Sequence, residues 1–177
     1  MFSKLTALSA FLAIISLSAA YQISTSVIDG VAAFLNTPTD PFVKIGESYY
    51  FVESKRKSNL YGAFEACRQM NADLVAFEDL KELKLVHQYL VDKKVDMFYW
   101  TAGTDLDKKD YFVWFSTGQP VSTDLFRKGE PNNAGGNERC VEYKSDERLG
   151  LNDRSCTDSM RYICKAPQPK TVSFIVW

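Results

Sequence analysis

An α+β domain is the fold class this sequence predicts. Two capped, amphipathic helices come first, over residues 58–70 and 79–91. Beyond residue 94 the chain turns to short runs of aromatic and β-branched residues, separated by long Gly-, Asn- and Asp-rich stretches. Helices followed by a run of strands is the α+β order. Four cysteines in a chain that opens like a secreted protein point to two disulfides, and composition leaves three pairings open.

Taken in order, residues 1–20 read as a secretory signal. Lys4 gives a basic start, residues 5–17 are almost free of polarity, and Ser18-Ala19-Ala20 supplies small residues for cleavage. The apolar run is shorter than the roughly 20 residues of a membrane span, so an uncleaved anchor is the poorer reading and secretion is expected. Its removal takes one lysine and no acid, carrying the formal charge from −1 to −2. With no basic block, nucleic acid is excluded as a partner. About 157 residues remain, enough for one domain with a real core.

Residues 21–40 form a leader of weak periodicity ending in Thr37-Pro38-Thr39-Asp40-Pro41. Residues 42–52 alternate loosely around Gly46-Glu47 and predict a hairpin. Ser58-Asn59 caps the first helix, where Leu60, Ala63, Phe64 and Cys67 share one face, so Cys67 points inward. Asp79 caps the second, with Leu83, Val86 and Leu90 inward. Strand segments are expected at residues 97–101, 111–115, 140–142 and 162–164. The loops between them are too polar to bury, and loops this long in a compact domain bind something or are cross-linked. The apolar-leaning tail, 168–177, is too short to cross a bilayer. An added edge strand, a self-association contact and a frayed end are all open for it. No heptad supports an oligomer. There is no Asn-x-Ser/Thr acceptor.

The chemistry concentrates late in the chain. Between residues 130 and 153 lie Glu130, Asn132, Glu138, Asn152 and Asp153, with Cys140 and Cys156 threaded among them. All five offer oxygen, and calcium takes roughly 6 to 8 oxygen ligands. No histidine or cysteine in the cluster has zinc spacing. Three carboxylates leave about one excess negative charge against a divalent ion, and the two amides add oxygens without adding charge. Taken alone, Glu130-Pro131-Asn132-Asn133 is an ordinary exposed turn; the five together are a candidate site. His87, the only histidine, falls opposite or beside the apolar stripe of the second helix and reads as a surface or boundary residue. Its solitude removes Ser-His-Asp, Cys-His and multi-histidine chemistry. The acidic pairs Asp105/Asp107 and Asp146/Glu147 are read as solvated loop charges rather than glycosidase carboxylates. No enzyme is expected.

These residues resemble the C-type lectin domain in its short, two-disulfide form, most closely in secreted insect members. The resemblance covers residues 42–167, within a domain placed at 41–167. It rests on Cys67, Trp100-Thr101-Ala102-Gly103, Glu130-Pro131-Asn132, Glu138 two before Cys140, Asn152-Asp153 before Cys156, and Tyr162-Ile163-Cys164. It implies two helices packed on short, mostly antiparallel sheets with a long calcium-binding loop region. It also implies the pairing Cys67–Cys164 and Cys140–Cys156. In the chain-entropy account the outer closure is worth ~4 to 5 kcal/mol and the inner ~3 kcal/mol.

The resemblance further implies that Glu130, Asn132, Glu138, Asn152 and Asp153 hold one calcium ion, Asp153 also through its carbonyl, with Pro131 following a cis peptide bond. The same five residues would bind two neighbouring sugar hydroxyls. Glu first and Asn third goes with mannose or fucose; a galactose preference is the alternative. A calcium-independent module recognising protein or lipid is the rival reading. The expected partners are glycans on microbial or host surfaces, in agglutination or innate immunity, with self-association as a source of avidity. The sequence departs from the pattern in four places. Leu125 and Leu151 stand where tryptophans are common, shrinking the packing beneath the loops. Lys109 and Arg139 stand where two-calcium members carry acids, so Asp105 and Asn133 would not suffice for a second ion.

Overall fold

A computed structural model describes residues 23–29, 39–168 and 170–176. The secretory segment expected at 1–20 lies outside the described residues, as does most of the leader. The chain divides into two compact units, and each is described by itself. In the smaller, β1 (Ile23–Asp29) pairs antiparallel with β10 (Lys170–Val176), Ile23 opposite Val176 and Asp29 opposite Lys170. Part of the leader and the apolar tail therefore form one ladder.

The larger unit spans Thr37–Gln168. The predicted hairpin is present as β2 (Val43–Ile45) and β3 (Ser48–Val52), turning at Gly46 with φ +60°. Helix α1 (Leu60–Gln69) starts at Asn59, whose side chain accepts the Gly62 N–H, satisfying an end donor the helix leaves free. It buries Leu60, Ala63 and Cys67, with Phe64 half-buried against Phe115 at 5.1 Å. After the two-residue strand β4 (Asp73–Leu74), α2 (Leu80–Asp92) starts at Asp79, which accepts the Glu82 N–H at 2.8 Å. It buries Leu83, Val86 and Leu90, a 3.6-residue stripe.

The strands that follow are β5 (Phe98–Thr104), β6 (Val113–Trp114), β7 (Cys140–Lys144), β8 (Leu151–Arg154) and β9 (Arg161–Lys165). They join one sheet of order β2-β3-β9-β5-β7-β8, with β4 beside β9 and β6 beside β5. Among the strand pairings of this sheet in the described residues, only β5–β9 is parallel. Between the helices and the sheet lie Tyr50, Phe77, Tyr99, Trp100 and Tyr143, each at most 1% exposed. Trp100 satisfies its indole N–H on the Ser58 carbonyl at 2.9 Å. At Gly103 a Cβ would stand 2.6 Å from Val141, so only glycine lets β5 and β7 approach there.

Two expectations change. The segment expected at 111–115 narrows to two residues, following Asp110 at φ +62°. Residues 151–154, where no strand was expected, form β8 because Leu151 and Asp153 alternate inward while Asn152 and Arg154 turn outward. Both disulfides close as the resemblance implies. Cys67–Cys164 ties α1 to β9 and Cys140–Cys156 ties β7 to the segment after β8.

Candidate functional site

Strand β8 lies between β7 and the stretch 126–133, and that sandwiching assembles the site. On one side Glu142 faces Asn152 and Val141 faces Asp153 in antiparallel register. On the other, Phe126 bridges Leu151 in parallel and the Arg127 N–H donates to the Leu151 carbonyl at 2.9 Å. The Arg127 side chain fastens the start of the stretch, donating to the carbonyls of Gly150 (3.1 Å) and Lys144 (3.0 Å) and to Asp146 (3.1 Å). Gly150 holds φ +129°, and a Cβ there would meet the Arg127 nitrogen at 2.8 Å. Leu125 and Leu151, the tryptophan replacements, are 1% and 0% exposed and floor the loops.

From this floor Asp153, fully buried, directs its carboxylate at the loop. One oxygen accepts the Asn132 N–H at 3.0 Å, the other the Asn133 N–H at 2.6 Å. Asn133 sits in the left-handed region at φ +48°, and its side-chain oxygen accepts the Glu138 N–H at 3.0 Å. Glu138 in turn accepts the Ala134 N–H at 2.9 Å. The Glu130–Pro131 bond is cis. Glu130 is half-buried, and its Oε2 is buried with no hydrogen-bond partner. Burial and then the neighbouring Asp153 charge push the Glu130 carboxyl above its usual range, and Glu138 adds to the effect. Glu138 is raised too, by burial, with the Ala134 N–H working against and Asp153 adding. Asn152 donates its Nδ2 to Glu142 Oε1 at 3.0 Å.

The structure brings Glu130, Asn132 and Glu138 to Asp153 on β8, while the neighbouring Asn152 turns its side chain to Glu142. The Asp153 charge makes ionisation of Glu130 and Glu138 costlier, while the side chains of Asp153, Glu138 and Asn152 are turned to protein donors or acceptors. Among the described residues no set of three or more His, Cys, Asp and Glu already stands in metal-holding geometry. The donor set nevertheless fits a hard divalent cation. It is all oxygen, net anionic, and holds a buried carboxylate oxygen that lacks any donor. A cavity near 770 Å³ between Phe77, Trp114 and Lys165 is lined by none of the five. An ion-centred site on loops does not need a deep cleft, so the chemistry marks the site and the cavity does not.

Sequence reasoning missed several participants. Asp105 is not a solvated charge: it is 2% exposed, takes the Asp110 N–H at 2.7 Å and pairs with Arg139 Nε at 2.5 Å. Asp146 likewise anchors Arg127, Lys144 and Arg148. Burial still draws its carboxyl upward, but these partners together hold it below its usual range. Glu142, 2% exposed, was overlooked altogether. Its signal was parity: Cys140, Glu142 and Lys144 share the face opposite Val141 and Tyr143. His87 is half-buried, as expected, with Nδ1 2.9 Å from the Tyr143 hydroxyl, and burial lowers its pKa.

Residues 56–166 match the profile of the family described as Lectin C-type domain. The chain belongs to the C-type lectin domain family. This C-type lectin is 36% identical over 162 residues to C-type lectin 37Da of Drosophila melanogaster, covering 87% of each chain. Its fold is similar to the mouse scavenger receptor C-type lectin carbohydrate-recognition domain (TM-score 0.64, 19% identity, 75% of this chain and 100% of that one). It is also similar to the carbohydrate-recognition domain of cow CD23, solved in the presence of a GlcNAc2Man3 oligosaccharide (TM-score 0.63, 23% identity, 76% and 99%). C-type lectins are carbohydrate-binding, non-enzymatic domains. Among the described residues no helix is long and apolar enough to cross a membrane.

Proposed function

We propose that this C-type lectin is a secreted, calcium-dependent saccharide receptor of mannose or fucose preference, acting in recognition or agglutination of glycan-bearing surfaces in innate immunity. The observation that carries the reading is Glu130: a buried carboxylate oxygen without a donor, beside Asp153 and Glu138. A buried anionic oxygen that no N–H or O–H satisfies is costly unless a cation answers it. Glu130, Asn132, Glu138, Asn152 and Asp153 would hold one calcium ion, which when bound supplies open coordination positions for two sugar hydroxyls.

The protein groups supply direction. Glu130 and Glu138 are acceptors only and receive hydroxyl protons, whereas Asn132 and Asn152 can donate to hydroxyl lone pairs. Asp153 fixes the loop through the Asn132 and Asn133 N–H groups, so these side chains sit on a braced turn. Preorganised donors and acceptors select a hydroxyl pair by geometry. The order Glu130-Pro131-Asn132 supports the mannose-type assignment, and the apolar run before Ala20 supports secretion.

The test is retention on immobilised mannose in millimolar calcium, release by EDTA, and a glycan array with and without calcium. Binding confined to terminal galactose would overturn the sugar preference alone. Glycan binding indifferent to EDTA, or none with calcium present, would overturn the whole reading.

A further inference from the structure

We infer that Glu142, which is none of the five candidate ligands, is a positioning residue that decides which end of the Asn152 amide a cation meets. This rests on the calcium reading above. Glu142 is 2% exposed on β7, directly opposite Asn152 on β8, and its Oε1 accepts from Asn152 Nδ2 at 3.0 Å. Its Oε2 is buried and has no partner. An ionised carboxylate can only accept, and an amide has one accepting and one donating end. Turning the amide over would set its oxygen against the carboxylate, two acceptors face to face. Glu142 therefore holds Nδ2 on the β7 side.

Where that leaves the oxygen follows from the sheet. β8 has β7 on one flank and residues 126–133 on the other, bridged through Phe126 and Leu151 and tied by Asn132 and Asn133 to Asp153. The nitrogen faces β7, so the planar amide carries Oδ1 away from β7, towards the flank that bears Glu130 and Asn132. Only oxygen coordinates a hard cation, and an amide turned the other way would present N–H to it. Among the described residues Asn152 is the one hydrogen-bond partner of the Glu142 carboxylate. Groups that orient metal ligands in this way typically change metal affinity by roughly 10- to 100-fold when altered.

The experiment compares wild type with Glu142→Gln, a change of one atom in a buried side chain. Calcium affinity by calorimetry should fall about 10-fold or more. The thermal midpoint of the metal-free protein should hold or rise, because burial penalises the carboxylate charge that is removed. In saturating calcium, sugar binding should return to the wild-type level. In metal-free wild type, the Asn152 side-chain NH2 protons should exchange slowly by NMR, and faster in the variant. In an Asn152→Asp background, where either end of the side chain offers oxygen, Glu142→Gln should cost calcium affinity nothing. A variant that binds calcium like wild type, or loses affinity equally in the Asn152→Asp background, overturns the role of Glu142. Wild type that takes up no calcium would instead overturn the parent reading, and this one with it.

Discussion

Asp153 receives the backbone N–H of Asn133 at 2.6 Å while its other oxygen takes that of Asn132 at 3.0 Å. A strand residue thereby braces the turn that carries Glu130 and Asn132. Replacing Asp153 by Ala strands both donors, and an unmet buried group costs ~1 to 3 kcal/mol. Urea unfolding should show a loss of about 2 kcal/mol, together with abolished sugar retention. Asp153→Asn, which keeps one accepting oxygen, should recover part of the stability and little of the binding.

The raised carboxyls set a pH signature. A Glu whose pKa is raised by folding keeps its proton more tightly when folded, so it weakens the fold as pH climbs from its ordinary 4.5 through the raised value. Glu130→Gln should raise the thermal midpoint of the metal-free protein at about pH 7 and leave it unchanged near pH 3. Protons also compete for the oxygens offered to calcium. Acidification through the raised range of Glu130 and Glu138 should therefore weaken calcium uptake in a calorimetric titration. A midpoint lowered by Glu130→Gln at neutral pH would contradict the account.

Asp105 is closed to a second ion by the chain itself. Arg139 Nε lies 2.5 Å from its Oδ1, and the Asp110 N–H takes Oδ2 at 2.7 Å. The expected stoichiometry is one calcium per chain. Calorimetry fitting two tight ions would contradict it.

Gly150 lets the Arg127 backbone close onto β8. At φ +129°, with the Arg127 nitrogen 2.8 Å from any added Cβ, Gly150→Ala must either shift the loop or bear strain of roughly 1 to 3 kcal/mol. Thermal melting should show the destabilisation, and calcium affinity should fall with it because Glu130 rides on the displaced stretch.

Removing Cys140 and Cys156 together should cost ~3 kcal/mol, against ~4 to 5 for Cys67 and Cys164. Calcium should rescue the first variant more than the second, since the shorter bridge joins the base of β7 to the segment just beyond β8. Melting each variant with and without calcium checks this.

Local rules made the helices and the hairpin legible. Asn59 and Asp79 cap where their side-chain chemistry says they should, and the apolar stripes at Leu60 and Leu83 face the core. β8 escaped because Leu-Asn-Asp-Arg has poor strand propensity, and its pairing with β7 overrides it. The pairing of residues 23–29 with 170–176 escaped for a different reason, since partners so far apart in sequence leave no local pattern. The five candidate residues stand out as a set because oxygen donors and cysteines recur at short spacing. Their supports were not: Asp105, Glu142 and Asp146 resemble any surface acid until register and burial assign their neighbours. One strand of known parity would have exposed Glu142.

The pairing of β3 with β9 has a practical side. Tyr50 stands opposite Lys165, and the Ala166 N–H donates to the Tyr49 carbonyl at 2.8 Å, so residues 39–168 begin and finish at neighbouring points. β9 lies three places from β8 in the sheet order, roughly 14 Å at ordinary strand spacing. Linkers joined at residues 39 and 168 of this unit would leave from the flank remote from the turn that carries Glu130 and Asn132. Copies strung in tandem or mounted on a scaffold would keep that turn outward, which makes this a domain suited to multivalent display.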